Sequence, residues 1–150
     1  MEIERKFLVP ALPEHLDRYP VLEIEQGYLA EAPVVRIRRQ NDTYILTYKS
    51  KGLLSREEYN LPLTKDAFLH LIPKIDGILI TKKRYCIPSP PYTIELDVFD
   101  GTLSGLLLAE VEFPSETEAL SFQPPEWFGR EVTYDPAYHN SNLALRPRER

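Results

Sequence analysis

Charged and apolar residues alternate with a period of two through most of this chain. That period marks β-strands, because successive side chains along a strand point to opposite faces. It predicts strands over 2–8, 22–30, 34–40, 43–50, 55–61, 79–87, 92–99 and 106–113. Turn-forming stretches separate several of them: Gln40-Asn41-Asp42, Lys51-Gly52 and Asp100-Gly101. Pro88-Ser89-Pro90-Pro91 reads as a hairpin loop. Helical signals are few. Pro13 to Arg18 has room for one or two turns. Thr64 to Ile72 reads as a helix capped by Thr64, with Phe68, Leu69 and Ile72 on one face. Ser115 and Glu118 have capping-box spacing and open a short helix through Phe122. Asp135-Pro136 opens another, through about Leu143.

Eight short strands with peripheral helices predict a mainly β fold. An antiparallel eight-stranded closed β-barrel is expected, because closure removes exposed sheet edges. A sandwich satisfies the same pattern. With 150 residues, no internal repeat and no linker, a single domain over 1–150 is expected.

The charges fall on one face of these strands. The first strand carries Glu2, Glu4 and Lys6. The following ones carry Arg36 and Arg38; Lys49; Arg56 and Glu58; Lys82 and Arg84; Glu95 and Asp97; Glu110 and Glu112. That makes seven acids and seven bases, with the acids mostly in the first and last strands and the bases in the middle ones. Ile3, Ile37, Tyr48, Tyr59, Ile94, Leu96, Val98, Val111 and Phe113 occupy the other side. Arg39, Glu57 and Lys83 break the separation, and Arg5 shares the apolar side of the first strand without an evident role. A solvated sheet face would mix in more Ser, Thr, Asn and Gln.

If the ionic face points into a barrel, like charges are enclosed together and need neutralising. The carboxylates Glu2, Glu4, Glu95, Asp97, Glu110 and Glu112 suit one or two hard divalent cations, Mg²⁺ or Mn²⁺. The bases Lys6, Arg36, Arg38, Lys49, Arg56, Lys82 and Arg84 suit a compact polyanion, since arginine forks match phosphate oxygens. Metal and polyphosphate together neutralise both halves.

The remaining features narrow the class. The net charge of −5 argues against a nucleic-acid partner. No apolar run approaches the ~20 residues of a membrane helix, and no signal-peptide pattern is present, so a cytoplasmic protein is expected. One cysteine, Cys86, excludes an internal disulfide framework and a multi-cysteine metal site. His15, His70 and His139 fall in helical or loop segments and read as surface or packing residues.

With these residues in place, Glu2-x-Glu4-x-Lys6 resembles the N-terminal ExExK motif of the CYTH domain family, the triphosphate tunnel metalloenzymes. The downstream groups resemble the family pattern in order, over nearly the whole chain. The resemblance implies a tunnel-forming barrel, a homodimer, and a triphosphate-bearing substrate bound with Mg²⁺ or Mn²⁺. Gly27-Tyr28-Leu29, Leu54-Ser55-Arg56, Leu96-Asp97-Val98-Phe99 and Pro125-Glu126-Trp127-Phe128-Gly129 resemble short bacterial members that hydrolyse inorganic triphosphate. In that comparison the helix after Asp135 packs near one tunnel mouth.

The expected activity is metal-dependent hydrolysis of inorganic triphosphate to pyrophosphate and phosphate. A nucleotide-directed enzyme of the family (ATPase, thiamine triphosphatase or class IV adenylate cyclase) and a non-catalytic polyphosphate-binding module are the alternatives. Glu2 and Glu4, with Glu110 or Glu112, are the expected first metal ligands. Lys82 is a candidate to activate water if its amine loses its proton, with Tyr28 as its hydrogen-bond partner. Glu58 is a supporting residue.

Overall fold

The alternation folds as strands, and their pairing decides which charges meet. The computed structural model describes residues 3–51 and 57–145. Eight strands form: β1 (Ile3–Leu8), β2 (Val21–Glu31), β3 (Val34–Gln40), β4 (Thr43–Lys49), β5 (Glu58–Pro62), β6 (Asp76–Ser89), β7 (Tyr92–Asp100) and β8 (Leu107–Phe113). Three short helices accompany them: α1 (Lys65–Leu71), α2 (Glu116–Ser121) and α3 (Asn140–Ala144). The strands form one eight-stranded sheet in the order β1-β8-β7-β6-β2-β3-β4-β5. The ladders β1/β8, β7/β8, β2/β3, β3/β4 and β4/β5 are antiparallel. No helix among the described residues is long and apolar enough to cross a membrane.

The chain divides into two compact units. One comprises the chain up to Leu22 together with Lys82–Tyr138; the other comprises Glu23–Thr81 together with the chain from His139 onward. In the first unit the apolar faces of β7 and β8 build the core from Ile94, Leu96, Ala109, Val111 and Phe113, joined by Val9, Ile87 and Ala119. Tyr92, Phe113 and Phe122 stack edge-on or tilted at centroid distances of 4.8 to 6.1 Å. In the second unit Ile37 and Phe68 are buried, and Tyr44 packs on Phe68.

The expected helix caps form. Thr64 Oγ1 accepts from Ala67 N at 3.0 Å, and Ser115 Oγ accepts from Glu118 N at 3.2 Å. The segment before β2 holds one turn, the 3₁₀ turn Leu16–Arg18, within the one or two expected. Two details differ from the expectation. Leu69 is 54% exposed, so α1 buries only Phe68. The helix after Asp135 is split into a 3₁₀ turn, Pro136–Tyr138, and α3, because His139 turns extended (φ −75°, ψ 142°) and breaks the ladder.

The described ladders do not close the sheet into the expected barrel. The strand order has two ends, β1 and β5, and no ladder joins them among the described residues. The outer edge of β1 carries further hydrogen bonds. Leu8 N donates to Arg130 O, Leu8 O accepts from Gly129 N, Lys6 O accepts from Val132 N, and Lys6 N donates to Thr133 Oγ1. Residues 129–133 therefore cover that edge as a strap. Gly129 permits the close approach: a Cβ there would lie 2.9 Å from Leu8 O. Arg5 finds its role in the same strap. It donates to Glu131 through two nitrogens, at 2.8 and 3.0 Å, and to Ala119 O at 2.7 Å. Its guanidinium also stands 5.2 Å from the Phe7 ring. Arg5 thus ties β1 to α2 and the strap, on the side opposite Glu4 and Lys6.

Candidate active site

The first unit carries the acids. In the β1/β8/β7 register, Glu4 faces Glu112, Lys6 faces Glu110, and Glu110 faces Glu95. Two of these cross-strand pairs, Glu4/Glu112 and Glu95/Glu110, set like charges directly opposite, which destabilises a sheet left to itself. One cation relieves the row: Lys6 Nζ lies 3.3 Å from Glu110 Oε2 and donates to Tyr138 O at 3.0 Å. Arg84 relieves another part, with Nη1 3.4 Å from Glu95 Oε1 and Nη2 3.8 Å from Glu110 Oε1.

What remains shows in the protonation of the acids. Glu4 is open to solvent, yet protein packs around its carboxyl. That desolvation, together with the charges of Glu110, Glu112 and Glu95 against the opposing pull of Lys6, raises its pKa to about 7. Glu95 is raised too, by burial first, against the lowering pull of Arg84 and with the charges of Glu110, Asp97 and Glu112 adding to the rise. Beyond this row the same face turns apolar: Leu8 and Leu108 continue the faces of β1 and β8, and Phe99 continues that of β7. Leu108 and Phe99 are buried.

Asp97 and Lys82 lie in that drier part. Lys82 is 1% exposed, with Nζ 2.8 Å from Asp97 Oδ2 and 5.2 Å from the Phe99 ring centroid. The water-activating role expected for Lys82 needs a neutral amine. Such an amine would withdraw one of the two cations that cover Asp97, and the nitrogen is sealed from water. Lys82 is buried beside Asp97 in this part of the face.

The second unit carries the bases. Tyr28 faces Arg36, and Gln26 faces Arg38 across β2/β3. Tyr28 is buried, and its pKa is raised by that burial against the charge and hydrogen bond of Arg36. Arg36 is thus one partner of Tyr28, and Asp97 is one partner of Lys82. Arg38 Nε donates to Gln26 Oε1 at 2.8 Å. Arg36 Nη2 donates to Thr47 Oγ1 at 3.2 Å, and Thr47 donates to Asn60 Oδ1 at 2.6 Å. Asn60 Nδ2 in turn donates to Glu58 Oε2 at 3.3 Å. Glu58 stands opposite Lys49 in the β4/β5 register. Gln26 and Thr47 are both 0% exposed. Charge counting passed over Gln26 and Asn60, although both keep the period-two phase of Tyr28 and Glu58.

Glu2 and Arg56, expected as a metal ligand and a phosphate ligand, lie outside the described residues. Two observations test the fit of the expected ligands. The carboxylates are hard oxygen donors, and their like-charge pairing favours a multivalent cation. Among the described residues no three of them converge closely enough to ligate an ion as they stand; Glu2 is not among those residues. On the basic side, Gln26 Nε2 and Arg36 Nε are buried without a hydrogen-bond partner among the described residues. Each such donor costs about 1–3 kcal/mol unless an acceptor meets it, and phosphate oxygens are acceptors of the right kind.

The Glu4 shift has a measurable consequence in metal-free protein. A carboxyl with a folded pKa of about 7 against 4.5 contributes stability below about pH 4.5 and loses it as pH rises to about 7. Glu95 acts in the same direction. Asp97 has the opposite sign, lowered by Lys82 and Arg84 despite its burial, and acts only in acid. In EDTA, Glu4→Gln is therefore expected to remove part of the decline between pH 4.5 and 7. At pH 8 its melting temperature should exceed that of the parent by about 2 °C, a modest figure because Glu4 is open to solvent. Thermal melts across that pH range check it; an unchanged profile would contradict the crowding of these acids.

The chain is similar to known proteins along nearly its whole length. Residues 1–141 match the CYTH domain. An inorganic triphosphatase of Nitrosomonas europaea is 45% identical over 148 residues, covering 96% of this chain and 97% of the relative. An inorganic triphosphatase of Acetivibrio thermocellus is 38% identical over 157 residues, covering 97% and 94%. The crystal structure of the inorganic triphosphatase NE1496 superimposes with a TM-score of 0.81 at 40% identity, covering 99% of this chain and 97% of that one. By the family match along its length and by these relatives, the chain belongs to the CYTH domain family.

Proposed function

We propose that this protein is a metal-dependent inorganic triphosphatase, cleaving triphosphate to pyrophosphate and phosphate. The observation that carries the reading is the pairing of like carboxylates, Glu4 with Glu112 and Glu95 with Glu110, beside Lys6 and Arg84. A fold gains nothing from such pairs, whereas a metal and a polyanion acting together need both signs. The inorganic triphosphatases described above support the substrate choice.

In this reading Glu4, Glu110 and Glu112, with Glu2 and Glu95, hold Mg²⁺ or Mn²⁺. The bound metal supplies charge stabilisation for phosphoryl oxygens and a water of lowered pKa. The protein's own groups do the positioning. Lys6, Arg36, Arg38, Lys49, Arg56 and Arg84 take phosphate oxygens and spread the charge that develops in phosphoryl transfer. Arg36 is steadied by Thr47 and Tyr28, and Arg38 by Gln26. Fixed donors of this kind contribute through orientation, because they need not reorganise as the bond breaks. Lys6, shared between Glu110 and the Tyr138 carbonyl, keeps one N–H for a phosphate. The barrel closed into a tunnel, the homodimer and a cytoplasmic location belong to the same reading.

A phosphate-release panel over triphosphate, pyrophosphate, ATP and thiamine triphosphate tests it, each with Mg²⁺ and with Mn²⁺. Triphosphate is expected to exceed every other substrate by at least about tenfold in kcat/KM, about 1.4 kcal/mol. Faster turnover of ATP, or cyclic AMP as its product, would assign the site to a nucleotide.

A further inference from the structure

Among the acids on the ionic faces, Asp97 stands apart. Glu4 and Glu112 are open to solvent, and Glu95 and Glu110 are half-buried, whereas Asp97 is 5% exposed. Both of its oxygens are taken. Oδ1 accepts from Arg84 Nε at 2.8 Å and Oδ2 accepts from Arg84 Nη2 at 3.0 Å, while the Lys82 ammonium forms an ion pair with Oδ2 at 2.8 Å. A carboxylate holding a two-pronged guanidinium and an ammonium is already neutralised. In the register it faces Leu108, one step past the row of Lys6, Glu110 and Glu95, and Phe99 follows it on the same face. A divalent ion there would have to displace two cations from a place that is nearly closed to water.

The same contacts fix Arg84. The prongs Nε and Nη2 are spent on Asp97, so the guanidinium plane cannot swing. Its other edge is left among the solvent-reached acids, with Nη1 3.4 Å from Glu95. The geometry points to Asp97 as a positioning residue and not a metal ligand: it clamps Arg84 so that the outer edge of the guanidinium meets a substrate phosphate, with Lys82 as the second counter-charge. The inference rests on the triphosphate reading for the anion that Arg84 meets.

Binding without turnover separates the two roles. Metal-free Asp97→Asn is titrated with Mn²⁺ alone, following the free ion by EPR, beside the parent and Glu4→Gln. Asp97→Asn is expected to bind Mn²⁺ within about twofold of the parent, while its KM for triphosphate rises about tenfold, the scale of a lost supporting partner. Loss of Mn²⁺ binding to the level of Glu4→Gln would make Asp97 a ligand and overturn the proposal. The same substitution in an Arg84→Lys background checks the route. There it should raise KM less than twofold further, because the clamp has lost its object. An undiminished tenfold effect would show that Asp97 does not act through Arg84, and would also overturn it. Asp97→Asn leaves two buried cations short of charge, so Lys82→Met/Asp97→Asn is carried in parallel as the variant with the better prospect of folding, and the same outcomes apply. A parent that binds no Mn²⁺ and leaves triphosphate intact would sink the functional reading and this inference with it. A parent active on triphosphate with a metal-blind Asp97→Asn would sink this inference alone.

Discussion

Glu4→Gln is expected to lower kcat/KM for triphosphate by at least about 100-fold, with no recovery at high Mg²⁺ or Mn²⁺. Residues that merely support a metal ligand typically cost 10- to 100-fold when replaced, so a ligand should lie at or beyond that range. The substitution keeps the shape of the side chain and removes its charge. In the metal-free protein it also removes the carboxyl whose desolvation, with repulsion from Glu110 and Glu112, raises the Glu4 pKa. The variant should therefore be less active and, in EDTA above neutral pH, more stable. That opposition separates a functional carboxylate from a structural one. A Glu4→Gln enzyme with the parent rate would remove Glu4 from the metal site.

Phe113→Ala has the largest expected effect on stability. Phe113 is 1% exposed, on the apolar face of β8 one residue after Glu112, and its ring packs at 4.8 Å from Tyr92 and 5.2 Å from Phe122. Removing such a ring costs about 3–5 kcal/mol, a large part of the roughly 5–15 kcal/mol that typically separates folded from unfolded. Urea unfolding should show a fall in midpoint with the slope kept. A loss under about 1 kcal/mol would mean that the aromatic cluster does not carry the first unit.

The strand pattern and the two faces were legible because period-two alternation is a local property. Glu4, Lys6, Glu110 and Glu112 could be set on one face before any register was known. The pairings that decide chemistry are not local. Arg5 had no partner in view because Glu131 lies 126 residues away in sequence. Asp97 looked equivalent to Glu95, since both share a face and differ by two positions. The register separates them: Asp97 falls beside Leu108 and under Arg84 and Lys82, and Glu95 falls beside Glu110. Lys82 likewise needed its neighbour across the sheet before a base role could be weighed. Counting strands also does not reveal that residues 129–133, which have no strand signature, bond along the edge of β1. Gln26 and Asn60 were overlooked because a reading built on charge discards amides, even where they orient the charged groups.

The most direct test of triphosphate hydrolysis is a ³¹P NMR time course of the protein with inorganic triphosphate and ATP in one tube, with Mg²⁺ and then with EDTA. The triphosphate resonances are expected to give way to phosphate and pyrophosphate in equal amounts while ATP persists, and EDTA is expected to stop the change. Persistence of triphosphate while ATP is consumed, or cleavage that continues in EDTA, would contradict that expectation.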